Sequence, residues 1–342
     1  TLGHVRRWSV TTPSTAAAPA HDRPWRRIAD RLPPITTIGP LLALLAAGTF
    51  FAVRTDRFLA GQNFSLILQQ VMEVGVIAIG QTLVILTAGI DLSCGMVMAL
   101  GSIVMTKFAV DLGLAPWLAI PAGIGASTAF GYLNGALITF VRLPPIIVTL
   151  GTLNIAFAIT QIYSDAQTVS GLPGALNLFG QTFRLGSTEV TYGVVLMLLL
   201  YALTWFVLHQ TGVGRHVYAL GNNAEAARLM GIPTQRLLRG VYTVAGAIYG
   251  VAGLLLVART GVGDPQAGQT DNLDSITAVV LGGTSLFGGR GQILGSLVGA
   301  LIVGVFRNGL TLMGVPSVYQ ILITGILVIL AVATDRLSRA RG

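Results

Sequence analysis

The sequence predicts an all-α protein that crosses a membrane many times, as a bundle of about ten spans including half-spans. The composition is 53% hydrophobic and only 10% charged, whereas soluble domains carry about 25% charged residues. The apolar residues fall in runs close to the roughly 20 residues that a helix needs to cross a bilayer. The 43 glycines follow no collagen-like period, which favours close packing of membrane helices.

The predicted spans follow one another without a long gap. Ten apolar runs are present, at 35–53, 64–88, 95–110, 115–141, 146–163, 190–208, 237–258, 273–287, 293–312 and 318–333. The run 273–287 is short and rich in Gly and Thr, so it predicts a half-span or a broken helix. A polar loop of more than twenty residues precedes the run 190–208. Eight full spans with re-entrant segments fit the pattern almost as well.

The two ends of the chain differ from the membrane domain, which we place at 35–335. Residues 1–34 hold six arginines among Ser, Thr, Ala and Pro, and no apolar stretch follows the first of them. This predicts a disordered, basic cytoplasmic tail rather than a cleavable signal peptide, although an Arg-rich, acid-poor start also imitates a transit peptide. Residues 336–342 are predicted to form a second cytoplasmic tail.

The charged residues outside the apolar runs predict the orientation. With the first residue inside, arginines gather in the segments 142–145, 209–236, 288–292 and 334–342, and acidic residues gather on the opposite side. Positive charge favours the cytoplasmic side, so both termini are predicted to be cytoplasmic. The net charge of +8 therefore indicates a lipid bilayer and not nucleic acid, because no basic patch carries interleaved aromatic residues.

Several classes of chemistry are not supported by any motif. The Gly-rich stretch 282–291 lacks the Gly-Lys-Ser/Thr ending of a phosphate-binding loop. Cys94 is the single cysteine, and the four histidines form no cluster, so we predict no metal site. We expect no catalytic residue, no enzyme activity and no cofactor in this chain.

The segment 209–236 contains a short predicted helix at 222–230, outside the membrane. Asn222 or Asn223 can cap it, Glu225 lies in its first turn, and Gly231 followed by Pro233 ends it. A helix of about two turns is marginal in isolation and needs a docking surface. The surface belongs either to another protein or to the helical bundle of the chain itself.

This segment resembles the coupling helix of ATP-binding-cassette (ABC) import permeases, which carries Glu-Ala-Ala followed by Gly. Four stretches, 80–93, 143–152, 214–232 and 278–291, together with 308–310, resemble the ribose-type branch of the family that also includes branched-chain amino acid permeases. The resemblance covers roughly 60–335 and implies a type II-like importer fold. It implies that the contacts with an ATPase are made by Asn223, Glu225, Ala226, Ala227, Arg228 and Gly231.

The resemblance also implies partners and a function. We expect a permease of the bacterial inner membrane that moves a monosaccharide or similar polar solute by alternating access. ATP and Mg²⁺ would be bound by a separate ATPase, a periplasmic binding protein would deliver the solute, and a second permease would complete the pore.

Three other functions are weighed against this one. The first is a branched-chain amino acid permease. The second is an ion-coupled secondary transporter, which needs paired carboxylates or histidines at mid-membrane; by our reading of the runs only Glu73 lies deep enough. The third is a membrane scaffold, which leaves the short helix without a role.

Polar residues inside the apolar runs are candidates for the translocation path. A buried charge is costly in a bilayer, so Glu73 should face protein or water, as a path residue or as a neutralised helix contact. Buried Asn is as often a contact between helices, and Asp91 is more simply a helix cap. Asp91 and Asp274 each precede a Gly-containing segment, a weak indication of inverted repeats. The predicted path residues are Glu73, Gln81, Asn134, Asn154, Asp91 and Asp274.

Overall fold

The computed structural model describes residues 35–339, which form twelve α-helices. The first six are α1 (Ile35–Arg54), α2 (Gly61–Leu86), α3 (Cys94–Val110), α4 (Pro116–Ala136), α5 (Pro145–Ser164) and α6 (Tyr192–Gln210). The remaining six are α7 (Gly212–Asn222), α8 (Ala224–Leu229), α9 (Thr234–Thr260), α10 (Asp271–Leu281), α11 (Ile293–Leu312) and α12 (Ser317–Arg339). The predicted tail 1–34 lies outside the described residues.

Every predicted span corresponds to a helix. Among the described residues, six helices are long and apolar enough to cross a membrane: α2, α4 with its π-helical extension Leu137–Val141, α5, α6, α9 and α11. Shorter apolar helices lie within α1, α3 and α12. The run 273–287 forms α10, whose 11 residues reach about 16 Å at 1.5 Å per residue. This is about half of the hydrocarbon thickness of a bilayer, as predicted for a half-span.

Three details differ from the sequence predictions. The polar loop before α6 contains a 3-10 helix, Gly174–Gly180, and an antiparallel hairpin of β1 (Thr182–Leu185) and β2 (Thr188–Thr191). The two strands have four residues each and are mostly polar, so they carry no membrane signal and the prediction of a plain loop missed the hairpin. The segment 209–236 also holds a helix, α7, that was not predicted. Finally, α12 continues to Arg339, four residues into the predicted tail.

The centre of the bundle is formed by α2 and α9. From Val71 to Leu86 every residue of α2 is buried, which is expected of a helix that is surrounded on all sides. In α9, Gly246 packs with its backbone against the backbone of Gly131 in α4. Small residues allow this close approach of two helices, as the high glycine content indicated.

Two short helices meet head to head inside the bundle. The first turn of α3 contacts the stretch before α10, where Gly95 and Gly268 touch through their backbones and leave no space for a side chain. Across the same contact, the Nδ2 group of Asn272 donates to the carbonyl oxygen of Leu92 (3.2 Å), and Cys94 Sγ lies 3.7 Å from Ser275 Oγ. We call this contact the half-helix junction.

The helices α3 and α10 leave this junction in opposite directions. The loop after α10 reaches the end of α2, where Gly289 N–H donates to the Leu86 carbonyl (3.0 Å). The far end of α3 reaches the end of α5, where Lys107 Nζ donates to the Tyr163 carbonyl (3.0 Å). The half-helix junction therefore brings together the two segments that carry Asp91 and Asp274, which the sequence analysis compared as possible inverted repeats.

Candidate functional site

The short helix α8 is built as the sequence predicts. Asn223 is its cap, with Oδ1 accepting from the backbone N–H of Ala226 (2.9 Å). The N–H of Gly231 donates to the Arg228 carbonyl (3.0 Å), and Gly231 has a φ of +84°, which glycine adopts without strain. The helix itself is Ala224–Leu229, slightly shorter than the predicted 222–230, because Asn222 ends the preceding helix instead of capping this one.

Most side chains of α8 point away from the bundle. Ala227 is fully buried, whereas Glu225, Ala226 and Arg228 are exposed. Leu229 and Met230 at its end are 74% and 70% exposed. Exposed apolar side chains on a charged helix are typical of a contact surface.

An ion pair on the outer face of α8 holds its polar side chains in place. Glu225 Oε1 lies 2.6 Å from Arg228 Nη2, and Glu225 Oε2 accepts from Nε of the same arginine (3.1 Å). This hydrogen bonding lowers the pKa of Glu225 and raises the pKa of Arg228. The two charges therefore stay fixed across the physiological pH range.

The helix α7, which was not predicted, connects α8 to the helical bundle. Its Tyr218 hydroxyl donates to the Gly291 carbonyl (3.0 Å), and Gly221 contacts the backbone of Leu86. It therefore joins α8 to the end of α2 and to the Gly-rich loop after α10. Because its polar residues alternate with apolar ones at helical spacing, amphipathicity was the signal that could have revealed it.

The predicted path residues divide into two clusters and one isolated residue. The first cluster is a hydrogen-bonded network that includes Asn134 and Asp91. Asn134 Nδ2 donates to Ser93 Oγ (3.0 Å), and its Oδ1 accepts from the Thr152 hydroxyl (2.7 Å). Asp91 Oδ1 accepts from the backbone N–H (2.9 Å) and the hydroxyl (2.6 Å) of Ser93. Asp91 therefore orients Ser93 and, contrary to the simpler prediction, does not cap α3.

Gln81 adjoins the first cluster, because the Tyr249 hydroxyl interacts with both Gln81 and Asp91, and Asn154 lies apart on the surface. Gln81 is fully buried, and its Oε1 accepts from the Tyr249 hydroxyl (3.4 Å). Asn154 is exposed, and its Nδ2 donates to the carbonyl of Leu150 one turn earlier in α5.

The second cluster consists of ionic groups from four helices. Glu73 of α2 lies 2.8 Å from Arg259 at the end of α9, and Asp274 of α10 lies 3.0 Å from Arg307 of α11. Glu73 is 6% exposed and Asp274 is 3% exposed. Asp271, 8% exposed, interacts electrostatically with Glu73 and with both arginines. These five residues form what we call the ionic cluster.

The expectation that only Glu73 lies deep is therefore wrong. Asp91, Asp271 and Asp274 are buried as well, because the chain turns back into the bundle before α3 and before α10. Arg259 lies just beyond the predicted run 237–258 and Arg307 lies within the run 293–312, and neither was among the predicted path residues. The available signal was the position of Arg307 inside an apolar run, where an ionisable residue indicates a partner or a function.

A cavity adjoins the ionic cluster. It has a volume of about 360 Å³ and is lined by Glu73, Arg259, Asp264, Asp271 and Arg307 together with apolar residues such as Leu256. Asp264 and its neighbours belong to the loop between α9 and α10. We call this space the ionic cavity.

Comparison with known proteins identifies the family to which this chain belongs. Residues 63–332 match the family described as "Branched-chain amino acid transport system / permease component". The chain is 48% identical over 303 residues to the fructose import permease protein of Rhizobium meliloti, covering 87% of this chain and 84% of that protein.

Two further relatives extend the similarity. The ribose import permease protein of Bacillus subtilis is 40% identical over 301 residues, covering 87% of this chain and 92% of the relative. The D-allose transport system permease protein of Escherichia coli is 35% identical over 298 residues, covering 87% and 90%. With its multi-pass helical bundle, the chain belongs to the branched-chain amino acid transport system permease family and is an integral membrane transport protein.

Proposed function

We propose that this chain is the membrane-spanning permease of an ABC importer and that it moves a monosaccharide. The observation that carries the proposal is the 48% identity over 303 residues to a fructose import permease. Relatives named for ribose and D-allose support the class of solute. The exposed helix α8 supports the coupling to a motor protein, because a six-residue helix needs a docking surface.

The partners follow from this proposal. The contact with an ABC ATPase is made by Asn223, Glu225, Ala226, Ala227, Arg228 and Gly231, with Leu229 and Met230 as apolar anchors. ATP and Mg²⁺ are bound by that ATPase. A periplasmic binding protein delivers the sugar, and a second permease, identical or paralogous, completes the pore.

The location follows from the same reasoning. The chain resides in the bacterial inner membrane, with α8 and both termini in the cytoplasm. The hairpin β1–β2 then faces the periplasm, because it contacts Gly61 at the start of α2 and α7 contacts Leu86 at the end of that helix.

The alternatives receive less support. The family description mentions branched-chain amino acids, but the similar proteins are named for sugars. Ion coupling is supported less well, because Glu73 and Asp274 are each paired with an arginine and Asp91 is bound by the backbone N–H and the hydroxyl of Ser93.

Uptake measurements test the proposal. In cells that supply the ATPase and the binding protein, uptake of labelled D-fructose, D-ribose or D-allose should be abolished by vanadate and should resist an ionophore. Uptake with the opposite sensitivities, or of leucine alone, would contradict the proposal.

A pair of variants tests the role of α8. Asn223→Ala removes the cap, which costs about 1 kcal/mol of helix stability, and should lower sugar-stimulated ATP hydrolysis. Asn222→Ala is the matched control, because Asn222 is also exposed and makes no cap for α8. Equal ATP hydrolysis by both variants would show that the order of α8 is unimportant for coupling.

A further inference from the structure

The ionic cavity has the size and the construction of a site for a small solute. Its volume of about 360 Å³ lies in the range of about 300–1,000 Å³ that is usual for small-molecule sites. Two of its acidic side chains, Glu73 and Asp271, are less than 10% exposed. The carboxylate of Glu73 is held by Arg259 from another helix before any solute enters, and Asp271 interacts electrostatically with Glu73 and with both arginines.

The charges of the cavity select the kind of solute. Carboxylate oxygens only accept hydrogen bonds, and guanidinium groups only donate them, whereas a hydroxyl group does both. A solute with several neighbouring hydroxyls can therefore bridge Glu73 and Arg259, which lie 2.8 Å apart, without leaving either group unpaired. An anionic solute is disfavoured, because the lining carries three carboxylates and two guanidinium groups.

The lining of the cavity also contains apolar side chains. Val74, Leu256 and Val262 line it beside the charged groups and can cover the C–H face of a sugar ring while its hydroxyls contact the charged groups. A fully ionic lining would suit a metal or an inorganic ion better. The combination of charged and apolar lining favours a neutral polyhydroxylated ring.

We propose that the ionic cavity is a transient binding subsite for a neutral monosaccharide, with Glu73, Arg259 and Asp271 as its hydrogen-bonding groups. This inference rests on the proposed function, because it assigns to that transport a place within the chain. The open lining along the loop between α9 and α10 suits weak, rapidly exchanging binding. The half-helix junction lies beneath this subsite, since Gly268 belongs to both.

Protection of an engineered cysteine tests the subsite directly. The native Cys94 is buried, so Val262→Cys places a reactive thiol in the cavity, in a chain that otherwise offers no exposed thiol among the described residues. The full-length variant is reconstituted in lipid nanodiscs and labelled with a methanethiosulfonate reagent in the presence of D-fructose, D-ribose or D-allose. If a sugar occupies the site at tenfold its dissociation constant, labelling should slow by about tenfold.

Two further variants show whether the protection from labelling arises in the ionic cavity. Ser187→Cys places a thiol on the exposed turn of the hairpin, outside the cavity, and its labelling should be insensitive to sugar. Adding Glu73→Gln to Val262→Cys should remove the protection. Protection that persists in this double variant would overturn the assignment of the hydrogen-bonding groups.

Other outcomes separate this inference from the proposed function. If Val262→Cys cells import sugar by an ATP-driven route but no sugar protects the thiol, the subsite is wrong and the function stands. If leucine or sodium protects the thiol and the sugars do not, the subsite is also wrong. If the wild-type chain imports none of the three sugars, the proposed function itself fails.

Discussion

Arg307 illustrates how buried acids are accommodated in this protein. It lies inside an apolar helix, its side chain is 39% exposed, and its guanidinium contacts the buried carboxylate of Asp274 at 3.0 Å. Arg259 does the same for Glu73 across two other helices. A buried ion pair contributes little net stability when both partners are present, but removing one partner leaves the other charge unpaired. The ionic cluster is therefore sensitive to single substitutions.

Arg259→Gln should destabilise the protein because it leaves the buried carboxylate of Glu73 without its partner. We expect a loss of roughly 1–3 kcal/mol, below the usual 3–5 kcal/mol for a buried pair because the arginine is a third exposed. Thermal unfolding in detergent measures the effect, with Arg184→Gln on the exposed hairpin as control. The double variant Glu73→Gln/Arg259→Gln should recover part of the loss. A double variant that is less stable than the single one would contradict the account.

Asn134→Leu should destabilise the bundle by about 1–3 kcal/mol, because the hydroxyls of Ser93 and Thr152 lose a buried partner. Asn154→Leu is the matched control. Its side chain is exposed and bonds only within α5, so its effect should stay within about 0.5 kcal/mol. Equal unfolding midpoints for the two variants would exclude a structural role for the network.

At the scale of elements, the half-helix junction is the least ordinary feature of the fold. A helix that ends inside a membrane leaves backbone groups without partners, and such ends are tolerated where protein surrounds them. Here the Asn272 side chain bonds to the Leu92 carbonyl, and Asp91 bonds to the backbone of Ser93. The acidic residues also lie near the positive ends of α3 and α10, where the helix dipole favours negative charge.

Gly95→Ala tests the junction, because its new methyl group would collide with the carbonyl of Gly268. We expect a loss of about 1–3 kcal/mol, as for other overpacked interiors. Gly151→Ala is the control, since Gly151 lies in α5 with open space around it and alanine favours helix by about 0.5–1 kcal/mol. The unfolding midpoint of purified Gly95→Ala should lie below that of the wild type, and the midpoint of Gly151→Ala should lie above it. A neutral Gly95→Ala variant would mean that the two half-helices can separate freely.

At the scale of the whole molecule, α2 defines two faces of the bundle. The pair α7 and α8 lies at its end, and the hairpin lies at its start. The 26 residues of α2 extend about 39 Å at 1.5 Å per residue, enough to put these two features on opposite sides of a bilayer. In the orientation that we propose, α7 and α8 face the cytoplasm and the hairpin faces the periplasm.

This orientation predicts the accessibility of two cysteine variants. In cells that lack the ATPase, Leu229→Cys on α8 should react with a membrane-impermeant thiol reagent in inside-out vesicles and stay unlabelled in intact spheroplasts. Ser187→Cys on the hairpin should react in spheroplasts. The reverse pattern would place α8 outside the cell and would exclude its contact with an ATPase.

Local sequence patterns predict the class of fold, the position of every span, the half-span at α10 and the stop of α8, and they narrow its cap to Asn222 or Asn223. These features depend on local composition and on residues within a few positions of one another, such as Asn223 and Ala226. The family resemblance, read from the same residues, is confirmed by the comparisons.

Which polar residues meet depends on the packing of the whole bundle. Glu73 and Arg259 are 186 residues apart in sequence, and no local pattern couples them. The burial of Asp91 and Asp271 depends on the chain turning back into the bundle, which Gly95 and Gly268 allow by touching through their backbones. A contact between distant segments is set by packing of the whole bundle, and therefore the ionic cluster, its cavity and the half-helix junction could not be read from the sequence.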